Sequence, residues 1–136
     1  AGLTASGSQR EVNPARNEIA ELELREGFAR LLAAEVDIVL GTDAGAVPEH
    51  PFGYTGHREL EIFVRLGMTP MQAIISGTSA AAQILGLADL GLIKAGYSAD
   101  LLILDNNPLS DIRNTRSINR VLLKGREINR SQLEIN

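Results

Sequence analysis

Apolar residues recur along the chain first at a helical spacing and later in short unbroken runs, and the change comes near Leu87. Between Pro14 and Ala34, Leu24, Phe28, Leu31 and Leu32 fall at i, i+4, i+7 and i+8, the face of one helix. Asn13 before Pro14 is its start signal, a capping side chain followed by a proline whose missing amide is not needed in a first turn. Glu18 and Glu21 lie early and Arg25 and Arg30 late, as the helix dipole prefers, which predicts a solvated opposite face. Val36–Leu40 is a short apolar run with β-branched residues that stops at Gly41, the pattern of a buried parallel strand. A second helix is predicted to open at His57, to place Leu60, Phe63 and Val64 on one face, and to stop at Gly67. Thr69-Pro70-Met71-Gln72 is a capping box with proline at the first helical position, and predicts a helix reaching Leu85 with Gly86 as its stop. The middle of that helix, Ser76 to Ala82, is small. Gly77 costs about 1 kcal/mol there relative to Ala, which implies a packing reason for it.

Beyond Leu87 the pattern becomes β-like. Gly91 and Gly96 flank a turn, and Leu101–Leu104 and Ile118–Leu123 read as strands. Lys124-Gly125-Arg126 is predicted to return the second strand into Glu127-Ile128 as a hairpin. Ala1–Val12, rich in Gly, Ser and Thr, reads as a loop or frayed end. Ala44 to Gly56 holds three glycines, two prolines and a histidine. A long connection of this kind inside an α/β unit is commonly functional.

Asp43 stands at the carboxyl end of the predicted strand Val36–Leu40, two residues after one glycine and two before another. In parallel α/β folds ligands and catalytic groups gather at that end of the strands. The competing reading is an aspartate that only bonds backbone amides of a turn.

Composition narrows the field. The length of 136 residues suggests one domain, and 44% hydrophobic residues suffice for a core. Only 4% are aromatic, so that core is built from Leu, Ile, Val and Ala. A net charge of −4 and a pI near 5.2 argue against nucleic acid or an anionic membrane surface as the main partner. No apolar run is long enough to span a bilayer. The absence of cysteine excludes disulfides, thiolate metal ligands and cysteine nucleophiles. No charged-then-apolar signal segment follows Ala1, and a cytoplasmic location is the expectation.

Four stretches in order carry a resemblance to a known family. They are Ile38-Val39-Leu40-Gly41-Thr42-Asp43-Ala44-Gly45; His57-Arg58-Glu59-Leu60 leading into Leu66-Gly67-Met68-Thr69-Pro70; the predicted helix from Ala73 to Gly86; and Gly91-Leu92-Ile93-Lys94-Ala95-Gly96 with Ala99-Asp100-Leu101-Leu102-Ile103-Leu104-Asp105, Asn107-Pro108-Leu109 and Asp111-Ile112-Arg113. From about Val36 to Ile128 the chain resembles the C-terminal part of a metal-dependent amidohydrolase, in the imidazolonepropionase-like and prolidase-like branch.

The resemblance implies an α/β fold: the C-terminal portion of a (β/α)8 TIM-like barrel followed by strands of a small β-sandwich. Residues 1–90 would be the last helix–strand–helix units of the barrel, with Val36–Leu40 as its eighth strand, and residues 91–136 the C-terminal strands of the sandwich. Such enzymes bind one or two divalent ions, commonly zinc. Asp43 would be a metal ligand and the proton shuttle, holding the attacking water and passing its proton to the leaving amine. The substrate would be a small-molecule amide, cyclic amide or dipeptide, with no nucleic acid or membrane partner, and a homo-oligomer is allowed. The family's His-x-His pair is missing, and neither His50 nor His57 belongs to it. Asp43 alone cannot assemble a metal site, so this chain is expected to be an inactive part of the hydrolase.

The resemblance places His57 at the mouth of the site, as a substrate contact, against the alternative of a surface histidine at a helix start. His50 reads as an exposed loop residue, Asp100 as a turn stabiliser, and Glu59 as a solvated or salt-bridged helix residue. A reading from another class is a non-catalytic fragment or interaction module whose open sheet edges and apolar faces are covered by a partner chain. Asp43 as a phosphoacceptor in a doubly wound sheet is disfavoured by the β-rich end. A strand lifted from a closed barrel lacks ladder neighbours, so exposed apolar surface beyond an ordinary monomer patch is expected.

Overall fold

The computed structural model describes residues 14–46 and 52–132. The expected Asn13 cap, the Ala1–Val12 loop and His50 lie outside the described residues. Four helices, α1 (Pro14–Ala33), α2 (Tyr54–Leu66), α3 (Pro70–Ser76) and α4 (Ser79–Ile84), precede three strands, β1 (Leu101–Leu104), β2 (Ile118–Leu123) and β3 (Arg126–Glu127). A 3-10 turn, Ile112–Arg116, lies between β1 and β2. The strands form one antiparallel sheet in the order β1-β2-β3.

The helical part holds the core. Phe28 of α1, Phe63 and Leu66 of α2, Met68, Ala73 of α3 and Ile112 of the 3-10 turn are buried together. The rings of Phe28 and Phe63 lie 5.7 Å apart between centroids. On α1 the Phe28–Leu32 side packs on this core, whereas Leu24 and Leu31 of the predicted apolar face are exposed. Glu21, on the flank expected to be solvated, reaches across to Arg65 of α2 at 2.9 Å.

Helix α2 begins at Tyr54, three residues before the expected start, because Gly53 at φ +85 turns the chain into it. The predicted helix from Pro70 to Leu85 is two helices. The capping box is present as expected, with Thr69 accepting from the Gln72 amide and the Gln72 side chain returning to the Thr69 amide. The helix then stops at Ser76, and Thr78 adopts non-helical angles (φ −129, ψ −95). Gly77 sits against Leu40: a Cβ added there would lie 3.3 Å from Leu40 Cδ1. That contact is the packing reason the small residue implied. At the end of α4, Gly86 (φ +70) and Leu87 return amide bonds to Gln83 and Ala82, so the glycine stop is present.

Val36–Leu40 forms no strand. It joins no ladder among the described residues; its backbone bonds are Val36 N–H to Leu31 C=O, 3.1 Å, and Leu40 N–H to Ser76 C=O, 3.2 Å. Val36 and Asp37 are exposed and Ile38 to Leu40 only half-buried, so the expectation of a fully buried strand is corrected. A strand needs neighbours on its edges, and here α3 touches it at one point. Large apolar side chains stay exposed beyond it, among them Leu22 and Leu24 on α1, Ile84 and Leu85 at the end of α4, and Ile93.

The β-rich end follows the pattern. Leu101 pairs with Leu122 and Leu102 with Val121, and the register shifts between Ile103 and Leu104. The hairpin closes through Lys124 (φ +51) and Gly125 (φ +77), a two-residue turn that twists with the strands. Asp100 accepts from the Lys124 amide at 2.6 Å and from the Ser98 hydroxyl at 3.1 Å, the turn-stabilising part expected of it.

Gly91 locks the helical part to the turn before the sheet. It has φ +83, and a Cβ there would lie 2.8 Å from Thr78 O and from Ser79 Cα. Gly91→Ala should therefore cost about 2–3 kcal/mol from strain and backbone clash together. Urea denaturation should show a lower midpoint, whereas Gly96→Ala, in open space, carries only the conformational penalty.

Candidate active site

Asp43 ends the extended segment in a tight turn. Its backbone is left-handed (φ +48), its carbonyl accepts from the Ala46 amide at 3.0 Å, and Thr42 Oγ1 accepts from the Ala44 amide at 3.2 Å. Gly45, at φ +81, completes the turn. The carboxylate is exposed, and no hydrogen bond or ion pair among the described residues holds it. Among the described residues it therefore bonds no turn amide.

His57 is elsewhere. It lines a cavity of about 530 Å³ between α2, α3 and β1, whose walls include Leu40, Leu60, Ile74, Leu101, Leu104 and Thr115. Asp43 does not line that cavity, so the two residues singled out for chemistry are not gathered into it.

The His57 ring is fixed from across the fold. Its Nδ1 lies 3.0 Å from Thr115 Oγ1, and the Thr115 hydroxyl donates to the Ile112 carbonyl at 2.9 Å. With the hydroxyl proton used, Oγ1 can only accept, so Nδ1 carries the hydrogen and Nε2 the lone pair. Burial lowers the His57 pKa below 6.5, and Arg116 lowers it further, against an opposing pull from Glu61. Glu61 lies on α2 and pairs with Arg116 (2.9 Å) and Arg58 (3.4 Å). The approach of its Oε1 to Arg116 is a charge contact without hydrogen-bond alignment, so this buried oxygen has no hydrogen-bond partner. The Arg116 guanidinium also sits 5.8 Å from the centre of the Tyr54 ring.

Glu59 departs from its expected place. It is half-buried and forms no ion pair among the described residues, and burial raises its pKa above 4.5. The i, i+3 and i, i+4 spacings pick out its neighbour Glu61 as the paired residue, beside Arg58 and His57. Thr115 and Arg116 carry no local signal, because their partners on α2 are more than fifty residues away.

Among the described residues no three His, Asp or Glu side chains lie close enough to hold a metal ion. Asp43 is the one candidate ligand at the end of the extended segment. No described helix is long and apolar enough to cross a membrane.

A sequence profile of the amidohydrolase family matches residues 8–128. The chain belongs to the amidohydrolase family. Over 91 residues this amidohydrolase chain is 42% identical to ochratoxinase of Aspergillus niger, a match taking in 65% of this chain and 18% of that enzyme. Its fold superposes on molinate hydrolase with a TM-score of 0.71 and 35% identity, over 76% of this chain and 26% of that one. A Xaa-Pro dipeptidase with bound methionine in its active site gives a TM-score of 0.68 and 34% identity, over 76% of this chain and 25% of that one. The amidohydrolase chain thus spans less than a fifth of ochratoxinase and about a quarter of the two structures. The relatives are hydrolytic enzymes by name.

The lowered His57 pKa fixes a sign. The unfolded chain takes up a proton near pH 6.5 and the folded chain only at lower pH, so stability is full above 6.5 and falls as pH drops below it. Glu59 acts oppositely and lower on the scale: its raised pKa favours the fold below 4.5 and that gain is lost as pH rises through its folded value. Thermal melts at pH 7.5 and 5.5 should show the lower Tm at 5.5, and His57→Gln should flatten that difference. A ¹H NMR titration of His57 giving a midpoint at or above 6.5 would contradict the assignment.

Proposed function

We propose that the chain is the C-terminal part of a metal-dependent hydrolase acting on C–N bonds, with Asp43 as its reacting carboxylate. The observation that carries this is an exposed aspartate, without a side-chain partner among the described residues, at the end of a short apolar segment, within a family match running through residues 8–128. In this reading residues 1–90 are the closing units of a (β/α)8 barrel, Val36–Leu40 is its eighth strand, and residues 91–136 are strands of a small sandwich. The absence of ladder neighbours of Val36–Leu40 among the described residues, and the exposure of Val36 and of other large apolar side chains, support that placement.

The described residues do not by themselves make a metal site, so Asp43 is one ligand among several supplied by other segments. A bound divalent ion, zinc in many such sites, would supply Lewis acidity and a more acidic water. Asp43 takes the proton of the attacking water as the carbonyl carbon is attacked. It then delivers that proton to the leaving nitrogen, so that the C–N bond breaks to a neutral amine. An exposed carboxylate free of ion pairs suits a group that must accept and release a proton within one turnover. His57 enters as a wall residue, its ring fixed by Thr115 and its Nε2 left as an acceptor for a substrate donor. The substrate is a small amide, cyclic amide or dipeptide, and the setting cytoplasmic.

The second reading is an interaction module completed by a partner chain. The apolar cavity and the free edge of β1 favour it. Metal analysis and amide turnover separate the two. The complete polypeptide should bind divalent metal stoichiometrically and hydrolyse N-acyl amino acids or dipeptides, and Asp43→Asn should lower kcat by at least about a thousandfold. The 136 residues alone should do neither. Undiminished turnover in Asp43→Asn would sink the proposal.

A further inference from the structure

We infer that Phe52 is a positioning residue for Asp43, acting through Gly45. The inference rests on the reading of Asp43 as the reacting carboxylate. A Cβ built on Gly45 would lie 2.3 Å from Cζ of Phe52, 2.7 Å from Cε2 and 3.2 Å from Cε1. The tip of the phenyl ring therefore rests on the Gly45 Cα, in space only a hydrogen leaves open. The ring is 81% exposed and belongs to no core cluster among the described residues, so its contact with Gly45 is a local one.

The turn needs such a contact. Asp43 holds a left-handed backbone that an aspartate adopts at a cost, and Gly45 holds another. Two hydrogen bonds, Ala44 N–H to Thr42 Oγ1 and Ala46 N–H to the Asp43 carbonyl, close it from inside. Both donors and acceptors sit near solvent, where water competes for them. Phe52 closes the turn from outside, and water cannot replace that contact. It holds the backbone from which the Asp43 side chain projects without touching the carboxylate itself. A proton carrier must sit within a few tenths of an ångström of its donor and acceptor, so loss of this brace acts on the rate more than on substrate binding.

The test has a structural and a kinetic arm. In NMR spectra of the 136-residue chain, the Gly45 Hα resonances should be displaced by the Phe52 ring current. Phe52→Ala should return them to ordinary positions, and Phe52→Tyr should keep them displaced. In the metal-loaded complete polypeptide, Phe52→Ala should lower kcat about tenfold with KM within about twofold, and Phe52→Tyr should restore it. Unchanged Gly45 resonances in Phe52→Ala, or full kcat in Phe52→Ala, would each overturn the inference. Asp43→Asn separates the failures. If it stays active, the reading of Asp43 is wrong. If it is dead while Phe52→Ala keeps full kcat, only the positioning inference fails.

Discussion

The docking of α2 onto the 3-10 turn Ile112–Arg116 is the constraint on which the arrangement depends. Ile112 buries its side chain in the helical core, His57 bonds Thr115, and Glu61 pairs with Arg116. These contacts join a segment before Leu87 to one after it, across more than fifty residues of chain. They add to the close approach of Gly91 to Thr78 and Ser79. The joint mixes one apolar anchor with two polar contacts, and the polar ones are half-dehydrated. Such contacts are sensitive to geometry, because an unmatched donor or charge at this depth is costly.

The segment that carries Asp43 is anchored separately, at Leu40. Leu40 bonds its amide to the Ser76 carbonyl and lies against Gly77, and Thr42 and Asp43 follow it. The sequence Gly-Thr-Asp-Ala-Gly then serves local needs at each position. Thr42 bonds the turn, Asp43 points out of it, and Gly45 leaves room for Phe52. The place of the Asp43 side chain thus follows from how a short piece of backbone is turned.

Much of this was legible in the residues. Local chemistry was read well: the capping box at Thr69, the glycine stop at Gly86, the hairpin at Lys124-Gly125 and the turn role of Asp100 depend on neighbours a few positions away. What depended on distant partners was not. Val36–Leu40 has a strand's composition, but a strand is defined by its neighbours, and among the described residues its backbone bonds go to the carbonyls of Leu31 and Ser76 and to no strand. The break between α3 and α4 was half visible. Gly77 announced a close approach, but that Leu40 makes it, and that the helix interrupts there, is a tertiary fact. At the site, Asp43 and His57 were picked out by type and place, yet their separation and the Thr115 contact needed coordinates. Glu59 was misread because periodicity says which face a residue shares and not how deep that face lies.

The Tyr54 ring under Arg116 gives the joint an optical handle. The chain has no tryptophan and two tyrosines, so its ultraviolet emission comes from Tyr54 at the joint and Tyr97, 5.4 Å from the Lys94 ammonium, on the approach to the sheet. Opening of the helical part from the sheet and melting of the sheet itself would thus report through different chromophores. Replacing either tyrosine by phenylalanine leaves a single-site reporter and removes one hydroxyl.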